Sequence, residues 1–429
     1  LSGNADGNPI TTAGPNSDGA GEGVVVGIID SGVWPENPSF SDRDASGTRV
    51  FRQIPGWNGK CVPGEQFNAS HCNQKLIAAR YFGEGFGGGA SIKAQFPYEF
   101  VSARAADGHG VHTASTAAGN YRVSASADGI ALGTISGMAP RARVAVYKSC
   151  WGIAPEGGCP NSDNVAAIDQ AVADGVDVIN YSISGTSTNF RDPVEIAFLF
   201  AADAGVFVAA SAGNSGPGAS TVAHPSPWIT TVAASTHDRF YEGTAALGDG
   251  TSYTGASLTA AVGPAPLVYS GNAGLAGANQ TQVELCYPGT LDPAQVTGKI
   301  VVCDRDVIAR TDKSFAVKEA GGVGMILVNR SPGSLNADLH YVPTVHLQNT
   351  ARAAVVAYAQ TAGATASLSA GVITSVTAPF MANFSSRGPL SAGSGDLLKP
   401  DITAPGVDVL AAYSPVAAVV IAAVLTPVL

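Results

Sequence analysis

The sequence predicts an α/β protein: a doubly wound parallel sheet with helices on both faces, interrupted by a smaller second domain. Three observations predict it. Apolar runs that suit buried strands alternate with helical stretches up to about Phe240. From about Tyr241 the texture changes to Ala/Gly/Val-rich segments with short strands. After about Ser375, motif-bearing segments of the first kind return. Strand and helix in alternation imply right-handed crossovers and a parallel sheet.

Residues 1–22 are polar with several glycines and are expected to form a surface arm. Gly23-Val-Val-Val-Gly-Ile-Ile-Asp30 is a continuous apolar run ending in a turn, which suits a strand buried on both faces. Similar runs follow at Ala142–Tyr147, Val176–Ser182, Val206–Ala210 and Ile229–Ala233. Helices are expected at His112–Ala118, Asn161–Ala173 and Pro193–Ala204. Residues 23–240 thus form the first part of the main domain and 241–375 an insertion. Within the insertion, strands are expected at Lys299–Cys303 and Gly324–Val328, and a helix at Ser314–Ala320. Residues 376–415 return to the main domain. The apolar tail 416–429 is too short to cross a bilayer.

Composition excludes several functions. With 23 basic against 33 acidic residues, the formal charge is −10. Nucleic acid and anionic membrane surfaces both need a basic footprint, so neither is an expected partner. The 52 glycines fall between apolar runs without a repeat period, which marks a loop-rich globular enzyme rather than a collagenous chain. Cys61/Cys72, Cys150/Cys159 and Cys286/Cys303 fall into three short-range couples with no C-x-x-C. Local disulfides in an oxidising compartment are the expectation. N-x-[ST] sequons at Asn68, Asn180, Asn279 and Asn383 are compatible with a secreted glycoprotein, although Asn180 falls in an apparent core strand. The chain opens on a polar, Gly/Asn-rich stretch without a signal-peptide pattern, so a processed form or a fragment is expected.

In a parallel sheet, chemistry collects at the carboxyl ends of the strands. Asp30 lies there; taken alone, it reads as a turn aspartate capping local amides. Asp107-Gly-His-Gly-Val-His112 precedes a small-residue helix. A histidine at a helix start is expected to have its basicity depressed by the positive dipole end and to be ready to accept a proton. The competing reading makes His109 and His112 metal ligands, but no third ligand follows at a zinc spacing and no H-E-x-x-H is present. Base outranks metal, and no metal or cofactor is expected. No EF-hand loop is present. Ala209-Ala-Ser-Ala-Gly-Asn-Ser-Gly-Pro217 ends another buried run; its Asn214 amide suits donation to a developing oxyanion, and in isolation suits a turn.

A strand-end Asp, a helix-start His and a strand-end Asn, in that order on one sheet, resemble the subtilisin-like serine proteases (subtilases). The matching text is Val25-Val-Gly-Ile-Ile-Asp-Ser-Gly-Val-Trp-Pro-Glu-Asn-Pro-Ser-Phe40, Asp107-Gly-His-Gly-Val-His-Thr-Ala-Ser-Thr-Ala-Ala-Gly119, Ser211-Ala-Gly-Asn-Ser-Gly-Pro217 and Phe384-Ser-Ser-Arg-Gly-Pro389. The likeness covers roughly residues 20–415 and is greatest to the cucumisin-like branch, in which a protease-associated domain interrupts the subtilisin-like fold. The resemblance implies that Asp30 is the orienting acid, His109 the general base and Asn214 the oxyanion donor. It makes Ser182, Ile183, Ser184 and Gly185 the edge strand that pairs with substrate backbone, and leaves His112 a packing role. It further implies a secreted endopeptidase acting on polypeptides, with a propeptide inhibitor in the precursor.

Two departures stand out. Val111 replaces the family's usual Thr beside the base. The family nucleophile lies in a Gly-Thr-Ser-Met-Ala motif opening a helix, and no such run occurs here. Gly250-Thr-Ser252 is followed by Tyr-Thr-Gly and reads as part of a hairpin turn after Leu247. Ser31 adjoins Asp30, Ser414 sits in a Ser-Pro turn, and no G-x-S-x-G elbow exists. The nucleophilic serine is therefore expected to be absent from this chain and turnover by it to be residual. The alternative is a pseudoprotease or fragment that binds extended peptides.

Overall fold

The computed structural model describes residues 19–44, 46–127, 130–152 and 157–417. Most of the arm and of the apolar tail lie outside the described residues. The described residues fall into two compact units. One comprises the chain up to Ala233 together with Ser385–Ala404 and the chain from Val409; the other comprises Ala234–Phe384 and Pro405–Asp408. The composition-based bounds 241–375 lie inside the second unit.

In the first unit the strands are β1 (Val25–Asp30), β2 (Leu76–Tyr81), β3 (Val123–Ala127), β4 (Ile130–Ile135), β5 (Arg143–Lys148), β6 (Val178–Tyr181), β7 (Phe207–Ser211) and β8 (Thr230–Ser235). Its helices are α1 (Gly89–Gln95), α2 (His109–Ala118), α3 (Asn161–Asp174) and α4 (Pro193–Asp203). The sheet runs β8-β7-β6-β1-β5-β2 with every one of these pairs parallel. β3 and β4 pair separately as an antiparallel ribbon. Strands β1 and β5 are buried at all positions, as strands of a parallel sheet covered on both faces are.

Alternate residues of these strands feed two different cores, which is what makes the sheet doubly wound. Val25 and Ile29 of β1, with Ala145 and Tyr147 of β5, pack with Ile168 of α3 and Phe198 of α4. Val26 and Ile28, with Val144 and Val146, pack on the other face with Val111, Ala114 and Ala118 of α2. Fully burying a side chain such as Ile28 is worth about 1.5–3 kcal/mol. The period-two rule then places Asp30 on the α2 face, because it continues the series Val26, Ile28. Val111 belongs to that core at 0% exposure.

Two helix starts need correction: that of α2, and that of the helix expected at Ser314–Ala320, which begins at Arg310. Helix α2 begins at His109, not His112, because the Asp107 carboxylate accepts the His109 backbone N–H and stabilises the first turn early. Strand β2 carried no clear apolar run and was not expected.

The second unit contains β9 (Arg239–Leu247), β10 (Ser252–Ala256), β11 (Val262–Tyr269), β12 (Ile300–Arg305), β13 (Gly324–Asn329), β14 (Thr344–Leu347), β15 (Thr365–Leu368) and β16 (Val372–Ser375). Helices α5 (Gln280–Glu284), α6 (Pro293–Val296), α7 (Arg310–Glu319) and α8 (Asn349–Ala359) accompany them. The order β10-β14-β13-β12-β11-β15-β9-β16, with a further β9–β10 pairing, closes the sheet on itself. Gly250-Thr-Ser252 lies in the β9–β10 hairpin, where Asp249 accepts from the Thr251 backbone. The last strand, β17 (Ile402–Pro405), borders β8. The disulfides are Cys61–Cys72, Cys150–Cys159 and Cys286–Cys303.

Candidate active site

The site is built on the carboxyl edge of the first unit's sheet. Asp30 closes β1 and is 1% exposed. A buried carboxylate must be compensated, and three groups do this. The Ser31 backbone N–H donates to Oδ1 at 2.7 Å, Thr113 Oγ1 donates to Oδ2 at 3.2 Å, and His109 Nδ1 lies 2.7 Å from Oδ1. Thr113 was not singled out by sequence; its offset of four from His109, one helical turn, is the signal that marks it.

Helix α2 reaches Asp30 because Gly110 allows it. A Cβ on Gly110 would lie 2.4 Å from the Gly32 carbonyl oxygen, so only glycine admits this approach. The same contact is tied by Ser31 Oγ, which accepts from the Gly110 backbone at 2.9 Å and donates to the Asp107 carboxylate. Ser31 is thereby a structural link between strand and helix. Burial raises the Asp107 pKa above its ordinary value, with the nearby Asp30 charge adding to the effect against the Ser31 hydrogen bond.

The expected depression of histidine basicity does not occur. The His109 pKa is pushed up from 6.5 to about 9, first by the hydrogen bond to Asp30 and next by its charge. Magnitudes explain the reversal. A helix dipole at a surface site contributes about 0.3–1 kcal/mol, whereas a hydrogen bond to a charged group contributes about 1.5–3 kcal/mol. The carboxylate wins. With Nδ1 turned to Asp30, 57% of the His109 side chain is open to solvent.

His112 points elsewhere. Its Nε2 donates to the Val409 carbonyl at 2.9 Å, and burial lowers its pKa. Among the described residues, no group of three or more His, Cys, Asp or Glu side chains is arranged to hold a metal ion.

Asn214 lies three residues beyond the end of β7 and is exposed. β6 separates β7 from β1, and the register aligns Ile29 with Tyr181 and Tyr181 with Ala210. Asp30, Ser182 and Ser211 therefore stand at one level of the sheet edge. The Asn214 loop adjoins the 182–185 segment: a methyl on Gly213 would lie 3.4 Å from Ser184 Oγ and 2.9 Å from Ser386 Oγ. Ser386, fully buried, donates its backbone N–H to the Gly213 carbonyl, and its Oγ accepts from the Ser215 backbone at 2.9 Å. The Arg387 carbonyl accepts from the backbones of Thr221 and Val222. Ser386 and Arg387 thus clasp the Asn214 loop, Ser386 from 171 residues beyond Ser215.

The comparisons with known proteins place the chain among its relatives. A model of the subtilase family matches residues 21–420. Subtilisin-like protease SBT1.6 of Arabidopsis thaliana is 44% identical over 409 residues, covering 92% of this chain and 51% of that protein. Subtilisin-like protease SBT1.7 of the same plant is 46% identical over 404 residues, with 91% and 51% covered. The chain spans about half the length of these curated relatives. A solved structure of the prenylagaramide maturation protease PagA aligns at 19% identity over 49% of this chain and 53% of that one, with a TM-score of 0.29 that is too low to bear on the fold. On its family match, its relatives and its parallel α/β architecture, the chain belongs to the subtilase family.

Proposed function

We propose that this chain carries the acid, the base and the oxyanion donor of a secreted serine endopeptidase that cleaves extended polypeptides by acyl transfer to serine and hydrolysis by water. The observation that carries the reading is the buried Asp30 carboxylate 2.7 Å from Nδ1 of an otherwise exposed imidazole. Asp30 keeps Nδ1 protonated and the ring oriented. Nε2 of His109, in the fraction of rings protonated on Nδ1 alone, then takes the serine proton and returns it to the leaving amine; with the pKa at about 9, that fraction grows as pH rises toward 9. Asn214 donates to the oxyanion, and Ser182–Gly185 receives the substrate backbone as an added strand. Three disulfides support an oxidising compartment. We read the second unit as the protease-associated domain of the cucumisin-like branch.

The nucleophile is not among these residues, since no Gly-Thr-Ser-Met-Ala run occurs and Ser31 is engaged by Asp107 and Gly110. The chain by itself is therefore expected to show at most residual turnover of casein. Robust cleavage blocked by a serine-directed phosphonate would overturn that inventory. In the full-length enzyme, Asp30→Asn is expected to lower kcat by about 10⁴-fold. Asn214→Ala is expected to lower it by about 10²–10³-fold with KM little changed. Activity that survives either change at wild-type level refutes the corresponding role.

A further inference from the structure

Behind the 182–185 segment lies a buried acid–imidazole pair that the catalytic reading does not use. Glu195, in the first turn of α4, and His224 are both fully buried, with His224 Nδ1 2.7 Å from Glu195 Oε1. The other ring nitrogen, Nε2, lies 2.8 Å from the Ile183 carbonyl oxygen. A carbonyl only accepts, so Nε2 carries a proton. The ring therefore presents a fixed N–H donor to Ile183 while its Nδ1 faces the Glu195 carboxyl.

The contact is doubled. The His224 backbone N–H donates to the Thr186 carbonyl at 3.0 Å, so one residue grips the segment at Ile183 and again at Thr186. The ring also fills the space behind the segment: a Cβ on Gly185 would meet His224 Cε1 at 2.4 Å. Tyr181 stands edge-on to the imidazole at 5.4 Å.

His224 is held in this place at a conformational cost. Its φ is +54°, a left-handed conformation that residues with a Cβ rarely adopt. It persists because every polar atom of the residue is engaged. Thr231 Oγ1 donates to its carbonyl at 2.7 Å, and Glu195 is itself fixed by the Ser226 backbone N–H at 3.3 Å. Trp228 Nε1 secures the Glu195 carbonyl at 2.7 Å. Strain sustained by so many contacts is the pattern expected where geometry serves a site.

We propose that Glu195 and His224 are positioning residues that clamp Ile183 and Thr186 from behind and so set the Ser182–Gly185 backbone for the incoming peptide. The proposal rests on the reading of that segment as the substrate strand, and two measurements separate the two. Hydrogen exchange on the full chain reads the clamp directly. His224→Phe keeps an aromatic ring but removes the donor, and is expected to speed exchange of amides 183–188 by about tenfold while β6 keeps its protection. Glu195→Gln, whose amide can donate to Nδ1 and preserve Nε2–H, is expected to restore near wild-type exchange. Unchanged exchange in His224→Phe overturns the clamp. So does equal acceleration in Leu76→Ala, a variant of the core on the other face of the sheet.

The second measurement is anisotropy of fluorescein-labelled casein bound to the full chain. Ser184→Pro removes a backbone N–H and is expected to abolish binding. His224→Phe is expected to weaken it by about tenfold. If Ser184→Pro binds normally, the substrate-strand reading fails. If Ser184→Pro abolishes binding and His224→Phe leaves it intact, that reading stands and the clamp fails.

Discussion

At the scale of single residues, the Asp30–His109 contact makes a pH prediction whose sign is fixed. The His109 pKa rises from 6.5 to about 9, so the folded chain retains a proton that the unfolded chain releases between those values. Stability from the pair is therefore complete below about pH 6.5 and is lost as pH rises through about 9. Because 57% of the His109 side chain is exposed, solvent screens the pair and the gain falls short of the full shift. Asp30→Asn should lower the melting temperature more at about pH 6 than at about pH 10. The contacts to Ser31 and Thr113 supply a part that does not vary with pH. An equal drop at both pH values would count against the coupling, as would an NMR titration of His109 with its midpoint near 6.5 in the unmutated chain. Ser386→Ala supplies a second test at this scale. It strips the Ser215 N–H of its partner and should cost about 1 kcal/mol. The accompanying rise in hydrogen exchange should be confined to residues 213–222, and uniform protection there would show that the loop does not depend on the clasp.

At the scale of elements, the approach of α2 to β1 decides whether acid and base meet. Gly110→Ala would place a methyl 2.4 Å from a backbone oxygen that cannot rotate away. Overpacking of this kind costs about 1–3 kcal/mol, and here it must push the helix start off the strand end. The expected result is a destabilised protein in which the His109 pKa falls back toward 6.5. A stable variant with an unshifted histidine would mean that the helix accommodates the methyl by sliding. The strand ends that hold the site were legible in sequence because β1, β5, β6, β7 and β8 are short apolar runs with turn residues after them. The helix start was misread by one turn because Asp107, which accepts the His109 backbone N–H, lies outside the small-residue pattern and acts through its side chain. β2 was missed because Arg80 interrupts it; that guanidinium is satisfied by Asp174 at 2.7 Å, across 94 residues of chain. The Ser386 clasp and the Glu195–His224 pair were illegible for the same reason. Both join groups that only the fold brings together, and neither leaves a local spacing to read.

At the scale of the whole molecule, each unit has its own apolar cores, so a cross-link in one should stabilise that one. Cys286 and Cys303 are both fully buried in a core of the second unit, with Val301, Val317, Met325 and Leu327. The disulfide closes a loop with a sequence separation of 17, and the chain-entropy estimate for a loop of that length is about 3 kcal/mol. Replacing both cysteines by serine also buries two hydroxyls in an apolar core, which adds to the loss. The double variant should therefore speed hydrogen exchange in β12 and β13 far more than in β1 and β5. The strand contacts of the first unit, from Val25–Arg143 to Asp30–Lys148, contain neither cysteine. Matching losses of protection in both units would show that they unfold as one cooperative body. Protection lost only in the second would establish two folding units within this chain, and would leave the Asp30–His109 geometry intact in a variant whose other half had opened.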